Sequence, residues 1–177
     1  MRRIPLAAIV ALAAAGASAA PPAPPRAPGR PAAAFTVDGS VALHAFMSLA
    51  DGHLRKISDV LRLLAATDRA RSAEWERIRG PLADAGKALV PAVLWFASAE
   101  GEYWTAPLGR AEGNLSDRPY FPKLLAGKDV TGDLVVSRST NRNVAIVAVP
   151  IRRDDRVVGA LGASVYLDKL GEIVSRE

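Results

Sequence analysis

Between Leu43 and Leu64 the apolar residues Leu43, Phe46, Ala50, Leu54, Ile57, Leu61 and Leu64 recur at steps of 3, 4, 4, 3, 4 and 3. Only an α-helix puts such a series on one face. The spacing predicts a helix from a cap at Ser40 to about Thr67, longer than most helices of globular domains. A helix of that length with a single apolar stripe needs a broad partner surface, and the rest of the chain must supply it.

Beyond it the period changes. A second helical stretch over 72–89 carries Trp75 and Ile78 and is interrupted near Gly80-Pro81. "AVLWFAS" (92–98) and "YWTA" (103–106) then read as a β-hairpin around "AEGE". A short helix over 120–126 closes at Gly127, and strands follow at 133–139, 143–151 and 157–167, with "RRDDR" as the last turn. A final helix spans 168–175. Strands and helices segregate along the chain, which predicts an α+β fold with one antiparallel five-stranded sheet, a long N-terminal helix and flanking helices. The strand at 143–151 is apolar on both faces, so both faces of the sheet should be covered. In the last strand Val157, Leu161, Val165 and Leu167 are assigned to one face. The smaller Val158, Ala160, Gly162 and Ser164 go to the other, leaving room there for packing or for a ligand.

The 177 residues hold one domain preceded by an export segment. Arg2 and Arg3, the apolar run "IPLAAIVALAAAG" and Ala17-Ser18-Ala19 form the pattern of a secretory signal over 1–19. An uncleaved anchor is the alternative. A Pro/Ala-rich spacer follows over 20–34, and the folded domain is assigned to 35–177. Periplasmic or secreted location is the expectation. Cysteine is absent, so stability there must come from packing alone. Removing Arg2 and Arg3 takes the net charge from +5 to +3, and setting aside Arg26 and Arg30 of the spacer leaves +1 on the domain. With no basic run, nucleic-acid binding is not supported.

Enzyme signatures are missing. His44 and His53 lie nine residues apart on one helix, hence on opposite faces, and do not form a metal pair. "GASVY" and "GNLSD" are not nucleophile elbows, "DVTGD" lacks calcium-loop spacing, and no phosphate-binding glycine motif occurs. Neither a cofactor nor a metal site is expected, and the chain is read as a non-enzyme.

The segment "LSDRPYFPKLLAGKDV" and its continuation to Leu170 carry Arg118, Tyr120 and Phe121; Ala126 and Gly127; Ser137, Arg138 and Thr140; Ala148, Pro150 and Ile151; Gly159 and Gly162; and Leu167, Asp168 and Leu170. In order and spacing this resembles the Cache, or PDC, sensor domain, the PAS-like extracytoplasmic module of chemoreceptors, histidine kinases and diguanylate cyclases. The resemblance implies a pocket on the sheet under a roof bearing the arginine and aromatic rings, with an amino acid or small carboxylate as ligand. It places Arg118, Tyr120 and Phe121 at that pocket, with Ser137, Arg138 and Thr140 either joining them or serving a turn, and Trp95 and Trp104 either walling it or packing in the core. Arg118 offers a planar fork of donors suited to a carboxylate, unless Asp117 holds it in a local ion pair. Strand alternation lets only one of Tyr103 and Trp104 face inward. The aspartate with which amino-acid-binding members hold the ligand ammonium has only Asp133 as a loose candidate. Sensors of the family continue into a membrane helix and an output domain, whereas this sequence stops at Glu177. It therefore reads as a stand-alone exported sensor that signals through a membrane partner, with its long helix as a surface for a homodimer. The alternative is a ligand-free interaction module with the same fold.

Overall fold

The structure, a computed structural model, describes residues 38–176 apart from Ser139. The signal and spacer assignments lie outside the described residues. Helix α1 spans Gly39–Ala65. Its cap is Asp38 rather than Ser40, because the Asp38 carboxylate accepts from the Ser40 N–H at 2.8 Å, one of the free donors of the first turn. The stripe does two different things along the helix. Leu54, Ile57 and Leu61 are buried against the sheet. Val41, Leu43, Phe46, Met47 and Leu49 are exposed.

The expected second helix is two. Helix α2 (Asp68–Arg71) is capped by Thr67, and α3 (Trp75–Lys87) follows a break at Ala73, whose φ of 58° no helix accommodates. Pro81 lies inside α3 without ending it, so the interruption falls eight residues before the proline that suggested it. Strands β1 (Ala92–Ser98), β2 (Tyr103–Thr105), β3 (Gly109–Arg110), β4 (Val130–Val136), β5 (Asn143–Arg153) and β6 (Arg156–Tyr166) form one sheet in the order β3-β2-β1-β6-β5-β4. All pairings are antiparallel. The count is six rather than five because the chain after β2 turns back once more at Gly109. Helices α4 (Phe121–Leu125) and α5 (Leu167–Val174) complete the domain.

Strand β4 runs over 130–136 rather than 133–139. Gly132, at φ +85°, places a bulge between Thr131 and Asp133, and the chain leaves the strand at Ser137 to form the turn closed by Ser137 N–H to Arg142 O. The expected strand end at Ser139 lies outside the described residues.

Both faces of the sheet are covered, as the apolar β5 requires. On one face α1, α2, α3 and α5 bury Leu94, Phe96, Val147, Val149, Leu161, Ala163 and Val165. On the other, the loop after β3 and α4 bury Trp95, Ala97, Tyr103, Val144, Ile146, Ala148 and Ala160. The face assignment of β6 needs one correction. A register shift between Ile151 and Arg152 turns the start of β6, and Val158 packs on the helical side with Leu161.

Candidate functional site

On the roofed face, β1, β2, β5 and β6 supply the floor of a small, partly open cavity. Period-2 alternation aims Trp95 of β1, Tyr103 and Thr105 of β2, Ile146 of β5 and Ser164 of β6 to this side, and all five line the cavity. The roof is the loop between β3 and α4, contributing Leu115, Arg118 and Tyr120. The wall is the end of β4 and the turn after it, with Val135, Ser137 and Arg138. The free volume is about 20 Å³, room for roughly one water molecule.

Five of the residues expected at the pocket are therefore brought together: Arg118, Tyr120, Trp95, Ser137 and Arg138. Three are placed elsewhere. Trp104 faces the helical side and stacks on Phe96 at 5.5 Å between ring centres, because Tyr103 takes the inward position of that alternating pair. Phe121 opens α4, and one helical step of about 100° past Tyr120 turns its ring into the core, where it is fully buried. Thr140 sits in the turn beyond Arg138, outside the lining. Sequence reasoning missed Thr105 and named Tyr103 and Ser164 only as possible inward positions, not as pocket residues. Tyr103 and Thr105 are i and i+2 on β2 and Ser164 is i+2 from Gly162, so strand period alone was the signal that could have found them.

Arg118 does not pair with Asp117. Its Nη2 donates to the Val136 carbonyl at 3.1 Å, while its Nε is buried and has no partner. Asp117 pairs instead with Arg138, which also donates to the Asn114 carbonyl. The Arg138 hydrogen bond holds the Asp117 carboxyl below its ordinary value. Two arginines thus tie the roof to the end of β4 and the turn after it, from opposite directions: Arg118 reaches out from the roof, and Arg138 reaches back to it.

The polar groups of the cavity are one-sided. Among the described residues no carboxylate lines it, whereas two guanidiniums and five hydroxyl-bearing side chains do. Asp133, the candidate for an ammonium, is held at 2.9 Å by Lys123 and lies outside the lining. On the floor, Thr105 is 1% exposed, and its hydroxyl has no hydrogen-bond partner. Burial pushes the Tyr120 hydroxyl up to about 12, with Arg118 working the other way, so the phenol stays a neutral donor. Tyr103 is raised for the same reason and donates to the Glu112 carbonyl at 3.3 Å. Trp95 closes the side of the cavity beneath Tyr120, ring centres 6.5 Å apart, and its indole lies over Gly162, where a Cβ would come within 2.1 Å of the ring. Among the described residues no three metal-ligating side chains gather. The chemistry on offer is donation of hydrogen bonds and positive charge to a small anion.

No protein-family model and no curated protein matches the sequence. Solved structures do match the fold. The ligand-binding domain of the Pseudomonas aeruginosa amino-acid chemoreceptor PctC, in complex with GABA, superposes with a TM-score of 0.60 at 18% identity over 77% of this chain. The sensor domain of the Vibrio cholerae histidine kinase DctB gives 0.62 at 16% identity over 78%. The Campylobacter jejuni chemoreceptor Tlp3 with isoleucine bound gives 0.53 at 12% identity over 75%. The chain spans 64% of the first of these domains, 58% of the second and 67% of the third. The fold is that of the Cache, or PDC, sensor domains, α+β with a long N-terminal helix on an antiparallel sheet.

Proposed function

We propose that this chain is an extracytoplasmic sensor domain that binds a small carboxylate between the roof and the sheet and passes its occupancy to a partner protein. The observation that carries the reading is the buried, unpartnered Nε of Arg118 at a cavity with no lining acid. A buried donor without an acceptor is costly, and a carboxylate is the acceptor a guanidinium fits best. Tyr120 adds a neutral phenol donor beside it, and Arg138, Ser137 and Trp95 complete the near wall.

Support for a binding rather than catalytic role comes from the structural neighbours, which are ligand-binding or sensor domains, PctC with GABA and Tlp3 with isoleucine bound among them. Among the described residues no helix is long and apolar enough to cross a membrane. The secretory signal read in residues 1–19 would place the domain in the periplasm or outside the cell. The exposed apolar residues at the start of α1, Val41, Leu43, Phe46, Met47 and Leu49, offer a surface to a membrane partner or to a second copy.

The test is thermal-shift screening of the purified chain against organic and amino acids. A ligand at 100 times its Kd adds about 2.7 kcal/mol, and a rise of several degrees is the expected outcome for at least one organic acid. Arg118→Ala should abolish that rise while leaving the unliganded melting temperature within about 3 °C. The 20 Å³ volume favours a second reading, a cavity filled by its own side chains in a protein that works by docking alone. No response to any small molecule, with unchanged behaviour of Arg118→Ala, would decide for that reading.

A further inference from the structure

The roof explains a carboxylate, but it does not explain Thr105. This hydroxyl comes from β2, on the sheet side of the cavity, whereas Arg118 comes from the roof loop. It is buried without a hydrogen-bond partner, in a position where valine would fill the same space. Ser164, also buried, lines the same floor from β6. A purely apolar acid would leave both hydroxyls facing its hydrocarbon. An ammonium would meet the guanidinium of Arg118, which has no carboxylate on it, and that of Arg138, whose partner Asp117 lies outside the lining.

We infer that the ligand is a short carboxylic acid carrying a neutral oxygen function, a hydroxy or oxo acid, with the carboxylate on Arg118 and the second oxygen on Thr105 and Ser164. This rests on the carboxylate reading above and narrows it. Thr105 is then a specificity-determining residue. A site built to hydrogen-bond a hydroxyl rejects the analogue that lacks it far more strongly than an apolar site rejects an extra one, because the buried polar group is left unpaired.

Three acids of nearly equal size separate the possibilities: propionate, L-lactate and L-alanine carry hydrogen, hydroxyl and ammonium at the same carbon. Titration calorimetry on the full chain should show lactate binding at least tenfold tighter than propionate, and alanine weakest. Thr105→Val should lose at least tenfold for lactate and leave propionate unchanged. Ser164→Ala should lose lactate affinity in the same direction. Thr105→Val should also melt no lower than the parent, which shows that any lost affinity is not lost folding. Equal affinity for lactate and propionate, or a lactate affinity indifferent to Thr105→Val, overturns the inference and leaves the carboxylate reading standing. So does binding of a longer acid with no response to the three. Tightest binding of alanine overturns the inference in favour of an ammonium site. If no organic acid of any length binds, the carboxylate reading falls, and the inference with it.

Discussion

The two faces of the sheet are made from the same strands and have opposite characters. On the helical face Phe96, Val147, Val149 and Leu161 meet Leu54, Ile57 and Leu61 of α1 in a dry core. On the roofed face the intervening residues meet a loop and a five-residue helix, and the polar groups of Arg118, Thr105, Ser164 and Tyr120 are gathered around a small space. A helix satisfies its own backbone and presents a continuous apolar stripe, so it can seal a sheet face completely. A loop must spend side chains on tying itself down. Arg118 and Arg138 do so here through Val136 O, Asn114 O and Asp117. What the contrast teaches is that the apolar core and the polar-lined cavity lie on different sides of one sheet.

That division can be broken by mutation. The largest effect is expected from Leu61→Ala on the helical face, where the side chain is fully buried. Chemical denaturation should show a loss of about 2–5 kcal/mol, with the affinity for any ligand found by screening unchanged in the folded fraction. Gly162→Ala probes the other face. The new Cβ would fall 2.1 Å from the Trp95 ring, so the indole must move, at a cost of about 1–3 kcal/mol, and tryptophan fluorescence should report the displacement. An unchanged spectrum would mean that Trp95 does not rest on Gly162.

The smallest effect concerns pH. Burial raises the Tyr120 hydroxyl from 10.0 to about 12 in the folded chain. The folded state therefore keeps a proton that the unfolded state releases, and its stability is full below pH ~10 and declines as pH rises toward ~12. Between pH 9 and 11 the parent should lose on the order of 1 kcal/mol more than Tyr120→Phe. Identical pH profiles for the two would remove Tyr120 from the buried wall.

The helical face was easier to read in the sequence than the roofed one. The stripe of α1 and the doubly apolar β5 carry their structural meaning in their spacing, and the order of helices and strands follows from them. At the pocket, Arg118, Tyr120, Trp95, Ser137 and Arg138 were legible through a motif, but their partners were not. The acceptor of Arg118 is a backbone carbonyl, which every residue owns and no sequence marks. Asp117 is adjacent to Arg118 yet bonds Arg138, 21 residues away, because neighbours in a turn project in different directions. Phe121 and Trp104 were drawn into the site by their aromatic character, and one step along a helix or a strand put each on the wrong side of its element. The bulge at Gly132 moved β4 by three residues, an irregularity that no periodic pattern encodes.

The small volume of the cavity also has a kinetic side. With about 20 Å³ free, an acid of three carbons would need the roof to shift, and the contacts such a shift would strain are those of Arg138 with Asp117 and Asn114 and of Arg118 with Val136. The sheet beneath, held by the long β5–β6 ladder, is the fixed side of that opening. Association is then gated: the observed rate rises with ligand concentration only until roof opening becomes limiting, and levels off there. Such a gate would set a shortest interval over which the proposed sensor could register a change in its surroundings, whatever the affinity of the ligand.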